Sequence, residues 1–168
     1  MSAGDLRRLR LRTGTEANID DVIRIWRDVW RDSYAGFFGV TADEMTWLNG
    51  AWHELLPVAR DIVLAELDGC VVGFCLREGA IVEDLWVDPV HCSRGIGPRL
   101  LDHALRAMRA DGYRTATLFC LEAADRARHF YEREGWRPCL RQQRLPPDGT
   151  APFWMIRYEY DLDRLRGP

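Results

Sequence analysis

Residues 94–97 read Arg-Gly-Ile-Gly, after an apolar run that ends at Val87-Asp88-Pro89 and before a helical pattern that begins at Pro98. Gly95 and Gly97 remove the Cβ atoms that hold a backbone away from a ligand. The helix that follows presents unpaired N–H groups and the positive end of its dipole. With Arg94 and Arg99 beside it, such a loop suits an anion, and a pyrophosphate is the natural guest. The same pattern also serves as a plain tight entry into a helix. It is not a dinucleotide-binding fingerprint, because the third glycine of G-x-G-x-x-G is replaced by Leu100 and a hairpin precedes the loop.

The basic residues narrow the chemistry further. All 23 are arginine, and lysine is absent. That excludes a Schiff-base lysine, a pyridoxal-phosphate enzyme and a P-loop. Charge is unevenly spread: residues 1–93 hold 9 Arg against 16 Asp and Glu, whereas residues 94–144 hold 11 Arg against 6. An acidic half and a basic half fit two ligands of opposite sign, or two solvated faces segregated by chance. The net charge of -3 argues against a general nucleic-acid binder. The four histidines lack metal-ligand spacing, so no metal site is expected.

A chain of 168 residues, 47% of them hydrophobic, is long enough for one domain with a full core, taken here as residues 1–168. Cys70, Cys75, Cys92, Cys120 and Cys139 are odd in number and show no CxxC pair. They read as reduced thiols of a cytoplasmic protein. The N-terminal stretch alternates Leu and Arg and lacks the apolar core of a signal peptide or membrane span.

The elements that must position the loop follow from periodicity. Leu6–Arg12 alternates as a strand. Asn18 looks like a helix cap, followed by helically spaced Ile19, Val22, Ile23, Trp26, Val29, Trp30 and Tyr34. Thr41–Leu56 reads as a second helix with a capping box, Thr41 to Glu44. Ile62–Leu67 and Cys70–Leu76 flank the hairpin turn Asp68-Gly69, and Ala80–Val87 completes a meander. Helix Pro98–Ala110, strand Thr115–Leu121, helix Ala124–Glu134, strand Arg137–Leu145, a Pro146–Gly149 loop and strand Phe153–Leu162 follow. The order predicts an α/β (α+β) domain with a central mixed, mostly antiparallel sheet of six to seven strands and about four helices.

Two segments in this frame carry a resemblance. Val82-Glu83-Asp84-Leu85-Trp86-Val87-Asp88-Pro89, then Arg94-Gly95-Ile96-Gly97 and Leu100-Leu101, resemble the acetyl-CoA loop of the GNAT N-acetyltransferase superfamily. Arg126-Ala127, then Phe130-Tyr131-Glu132-Arg133-Glu134-Gly135-Trp136, are similar to that family's A-x-x-F-Y-x-x-x-G-F helix and turn. The element order fits from Leu6 to Leu162. The chain departs from the pattern at Cys92 and Ser93, where Gln or Arg followed by Gly is usual. It departs also at Pro98, which supplies no N–H, and at Ala124, where Asn is frequent.

The resemblance implies a sheet whose strands splay at the CoA site and direct transfer of an acetyl group from acetyl-CoA to a primary amine. It places the donor on the strand residues Leu85, Trp86 and Val87, on the loop residues Ser93, Arg94, Gly95, Ile96, Gly97 and Arg99, and on Ala124, Ala127, Phe130 and Arg133. Tyr131 falls where the family places the acid that protonates the departing thiolate. The run Glu83-Asp84-Leu85-Trp86-Val87 also resembles that of diamine acetyltransferases, which makes Glu83 the first choice for the base and Asp84 the second. Adjacent strand residues point to opposite faces, so one of the two faces the pocket directly. Trp26, Trp30, Tyr34, Phe38 and Glu83 are candidates to meet a small cationic amine, an ammonium being at home on an aromatic face. The three at 26, 30 and 34 equally fit a core stripe. The expected partners are a small-molecule amine and a possible homodimer mate, with neither nucleic acid nor membrane. Two other readings are a protein or peptide N-terminal acetyltransferase and a non-catalytic CoA-binding sensor.

Overall fold

A computed structural model of the chain describes residues 8–33, 36, 62–145 and 152–165. Seven strands and three α-helices lie among them: β1 (Arg10–Thr13), α1 (Ile19–Ser33), β2 (Ile62–Leu67), β3 (Cys70–Glu78), β4 (Ile81–Val87), α2 (Ile96–Ala110), β5 (Thr115–Leu121), α3 (Asp125–Arg133), β6 (Arg137–Arg144) and β7 (Phe153–Asp161). The strand order is β1-β2-β3-β4-β5-β7-β6, a mixed and mostly antiparallel sheet. The expected second helix, Thr41–Leu56, lies outside the described residues, as do Leu6, Tyr34, Phe38 and the Pro146–Gly149 loop.

The chain groups into two compact units, Met1–Glu78 with Glu83–Ala104, and Gly79–Val82 with Leu105–Pro168. In the first, β1 and β3 pair antiparallel with β2. Asp68 and Gly69 take φ of 51° and 83°, the two positive values that a type I′ hairpin turn demands. Helix α1 buries Val22, Ile23, Ile25, Trp26 and Trp30 against Ile62, Leu64, Val71, Phe74 and Leu76 of β2 and β3. This is the apolar stripe of a surface helix meeting a sheet, and each fully buried aliphatic side chain there contributes about 1.5–3 kcal/mol.

The start of α1 differs from the sequence reading. A 3-10 turn, Glu16–Asn18, precedes the helix, with Thr15 as its cap. Asn18 accepts from the Thr15 N–H at 3.2 Å and from Arg12 Nη1 at 3.0 Å. Its amide thus ties the turn to Arg12 of β1, six residues back, instead of capping α1. Strand β1 also begins later than expected, at Arg10.

In the second unit, the first residues of β4 pair parallel with β5 through Ile81–Thr117 and Val82–Leu118, while β4 runs on to Val87. β5 pairs antiparallel with β7 along its whole length. β6 pairs with β7 and carries a bulge between Pro138 and Leu140. Ala116, Leu118, Cys120, Trp136, Tyr158 and Leu162 form the buried interior.

Candidate functional site

Strand β4 delivers the carboxylates. Glu83 is exposed, and Asp84 through Val87 are half-buried. The Trp86 indole N–H donates to Asp84 Oδ1 at 2.6 Å, a bond between residues i and i+2 on one face of the strand. Loss of solvation on burial pushes the Asp84 carboxyl up to about 6; the Trp86 hydrogen bond pulls it down and the Glu83 charge adds to the rise. Beneath, on β3, a Cβ on Gly73 would stand 2.9 Å from the Trp86 carbonyl oxygen, 3.3 Å from Leu100 Cδ1 and 3.4 Å from Ile96 Cγ2. Gly73 is therefore what lets β4 and the first turn of α2 settle onto β3.

The loop after β4 is built on Asp88, a buried carboxylate at 9% exposure. Its N–H donates to the Val72 carbonyl at 3.0 Å, and its Oδ1 accepts from Val90 N at 3.1 Å, capping the short 3-10 turn Pro89–His91. Arg24 of α1 donates to Asp88 Oδ2 at 3.1 Å and to the Val71 carbonyl at 2.8 Å. One guanidinium thus joins α1, β3 and the loop. Asp88 and Arg24 are site-building residues that sequence reasoning missed; 64 residues separate them, and nothing local marks the pair.

Beyond Cys92 the backbone turns left-handed at Ser93, φ 59°, and again at Gly95, φ 77°. Alternation of this kind points successive N–H groups inward as an anion-binding nest. Ser93 and Arg94 are exposed, as is Arg99 one turn on. Helix α2 begins at Ile96, two residues before the expected start. Gly97 and Pro98 therefore lie within its first turn, where proline loses nothing because that N–H has no intrahelical partner. Gly95, Ile96 and Gly97 retain N–H groups without intrahelical partners that an anion can use, beside the exposed Arg99 side chain.

The second unit holds the other predicted residues. Helix α3 runs from Asp125 to Arg133, with Ala124 at its N-cap position making no side-chain cap bond. Ala124 is buried, Ala127, Phe130 and Tyr131 are half-buried, and Arg133 is exposed. Arg133 lies 5.6 Å over the Phe130 ring and pairs with Glu134 at 3.3 Å. The Tyr131 ring sits in an aromatic cluster, 5.1 Å from Phe130 and 6.2 Å from both Trp136 and Tyr158. The Trp136 N–H closes the end of α3 on the Tyr131 carbonyl at 3.0 Å.

Two of the aromatic acceptor candidates belong elsewhere. Trp26 and Trp30, 2% and 8% exposed, are packed together at 5.6 Å between ring centroids within the core beneath α1. The helical stripe is structural at these positions, because its period aims both indoles at the sheet. Tyr34 and Phe38 lie outside the described residues.

Comparison with known proteins now decides the family. Residues 22–136, more than half of the chain, match the family model described as acetyltransferase (GNAT) family. The chain belongs to the GNAT family. GNAT enzymes use acetyl-CoA as acyl donor, and the matched span contains β4, the nest, α2 and α3. Among solved structures, the chain is similar to YjaB of Escherichia coli, solved in its apo form, at 25% identity over 90% of this chain and 97% of that one, with a TM-score of 0.72. It shares its fold with the PaiA N-acetyltransferase of Thermoplasma acidophilum, solved with coenzyme A, at 19% identity over 90% and 99% of the two chains and a TM-score of 0.72. YncA of Salmonella typhimurium, solved with acetyl-CoA, shares the GNAT fold at 17% identity over 95% and 97%, with a TM-score of 0.69. A search of curated proteins finds no match. No helix among the described residues is long and apolar enough to cross a membrane.

Proposed function

We propose that this GNAT chain is a single N-acetyltransferase domain that moves the acetyl group of acetyl-CoA to a primary amine of a small, cationic acceptor by direct attack in a ternary complex. The observation that carries the reading is the sequence of groups along β4 and its loop. A carboxyl with its pKa lifted to about 6 is followed within the same strand and loop by the left-handed nest at Ser93 and Gly95. Proton acceptor and anion cradle are thus set on one continuous segment.

In this reading, the diphosphate of the donor rests on the nest and the first-turn N–H groups of α2, with Arg94 and Arg99 adding charge. The backbone of Leu85–Val87 pairs with the pantetheine arm. Asp84 takes a proton from the acceptor ammonium, directly or through water. The freed amine attacks the thioester carbonyl, whose oxygen charge is met by a backbone N–H near Val87. The C–S bond then breaks as Tyr131 gives its phenolic proton to the departing sulfur, and the attacking nitrogen releases its extra proton to the Tyr131 phenolate, directly or through water, leaving the neutral amide. Asp84 is preferred to Glu83 because a base works best with a pKa near the working pH, and burial lifts the Asp84 carboxyl while the Trp86 indole N–H orients it. The acidic composition of the N-terminal half supports a cationic acceptor.

Thiol release from acetyl-CoA with a panel of polyamines, aminoglycosides, amino acids and N-terminal peptides tests the proposal. Turnover of polyamines, lost in both Asp84→Asn and Tyr131→Phe, is expected. Turnover that survives Asp84→Asn and is lost in Glu83→Gln would move the base to Glu83. CoA binding with no turnover of any amine would overturn the enzyme reading in favour of a sensor.

A further inference from the structure

Tyr158 lies outside the chemistry just described, yet its phenol is hydrogen-bonded to a carboxylate of α3. Its residue is fully buried, at 0% exposure. Its Oη donates to Glu132 Oε1 at 2.9 Å, and the charge of the Arg128 guanidinium acts on the same phenol. Glu132 stands in the last turn of α3, so this hydroxyl on β7 ties the strand to the end of the helix. One turn back, Arg128 anchors the start of the same helix: its Nη1 donates to the Glu122 carbonyl at 3.2 Å and pairs with Asp125 at 3.5 Å.

Helix α3 is nine residues long, too short to be stable by itself, so its roll about its axis is set by tertiary contacts. Tyr131 adjoins Glu132 and projects about 100° around the helix from it. Any roll of α3 therefore swings the Tyr131 hydroxyl sideways. A phenylalanine at 158 would fill the same aromatic slot 6.2 Å from the Tyr131 ring without burying a hydroxyl, so packing alone gives no reason for the oxygen. Burial raises the Tyr158 pKa, with Arg128 lowering it and Glu132 raising it. The phenol stays protonated at neutral pH and serves as the donor in the bond to Glu132.

We propose that Tyr158 is a positioning residue for acetyl transfer: bonded to Glu132 and packed beside the Tyr131 ring, it sets the roll of α3 and with it the aim of the Tyr131 hydroxyl. The inference rests on the reading of Tyr131 as the acid. It requires Tyr158 to act only through Tyr131, which makes a double-mutant comparison decisive.

The measurement is thiol release from acetyl-CoA with spermidine as acceptor, in wild type, Tyr158→Phe, Tyr131→Phe and the double variant. Tyr158→Phe is expected to lower kcat roughly 10- to 100-fold, the scale of a misplaced catalytic group, with KM for acetyl-CoA unchanged. In the Tyr131→Phe background it is expected to add nothing. An equal loss in both backgrounds, or no loss in either, overturns the positioning role while leaving the acid assignment standing. Wild-type kcat in Tyr131→Phe overturns the acid assignment and the inference with it. Two further readouts do not depend on Tyr158→Phe folding well. Glu132→Gln, which keeps an acceptor for the phenol, should retain activity, whereas Glu132→Ala should reproduce the kcat loss; equal activity in the two sinks the proposal. Ultraviolet difference titration, referenced to Tyr131→Phe, should show the Tyr131 phenol titrating at a different pH in Glu132→Ala than in wild type, and an unmoved titration counts against it.

Discussion

The Trp86 indole N–H meets the Asp84 carboxylate at 2.6 Å, two residues along one face of β4. A carboxylate on a half-buried strand thus has one strong donor and too little water. The folded state binds the Asp84 proton more tightly than the unfolded chain, for which the ordinary value is 3.8, because burial lifts the folded value to about 6. The protonated form is therefore the one the fold favours. The penalty is absent below pH 3.8, grows as pH rises towards 6, and is fully present above it.

Asp84→Asn should accordingly stabilise the protein at pH 7.5 by on the order of 2 kcal/mol, since the amide still accepts from Trp86 without carrying charge. Thermal melts at pH 7.5 and pH 4.5 check this, with a gain expected at the higher pH and a much smaller one at the lower. In wild type, kcat should rise with pH through about 6, following ionisation of the same group. That limb should vanish in Asp84→Asn along with most of the turnover, a case of stability surrendered for function.

Ser93 holds φ of 59°, a conformation that costs an L-residue about 1 kcal/mol or more and glycine almost nothing. Ser93→Gly should stabilise the chain by about 0.5–1 kcal/mol. It should also leave CoA affinity unchanged or tighter, because the nest is already formed by backbone. Denaturant unfolding and calorimetric titration with CoA check both. Ser93→Val should do the reverse on each, a branched side chain being least tolerant of positive φ.

Gly73→Ala tests the close approach under β4. The added Cβ would press on the Trp86 backbone carbonyl at 2.9 Å, and backbone cannot swing aside as a long side chain does. Overpacking of this kind costs about 1–3 kcal/mol. It should displace the strand and helix turn on which the proposed donor site is built, so KM for acetyl-CoA should rise more than kcat falls.

Arg24 and Asp88 predict a coupled pair. Arg24→Met leaves a buried carboxylate with one of its partners gone and should destabilise by about 1–3 kcal/mol. In the Asp88→Asn background the same change should cost much less, since no charge remains to be compensated. Urea unfolding of the four proteins gives the coupling directly; additive effects would assign Arg24 to simple surface packing.

Much of this molecule is local in origin and so was legible in the chain itself. The β2–β3 hairpin follows from Asp68-Gly69, which tolerate the two positive φ values, and the meander, β5 and the helical periods of α1 and α2 came out within a few residues of their observed bounds. The glycine loop into α2 was legible because two glycines and a helix start lie within four residues. What the chain could not show are contacts between residues far apart in sequence. The period of α1 is the same whether Trp26 and Trp30 face a ligand or a sheet; only the packing of Ile62, Leu64 and Phe74 against them decided for the core. Glu83 and Asp84 are chemically near-equal neighbours, and the difference between them arises from burial on β4 and the reach of one indole. Arg24 to Asp88, Gly73 to Trp86, and Tyr158 to Glu132 are relationships of the folded chain alone, for desolvation, close approach and helix roll exist only once the strands and helices have been brought together.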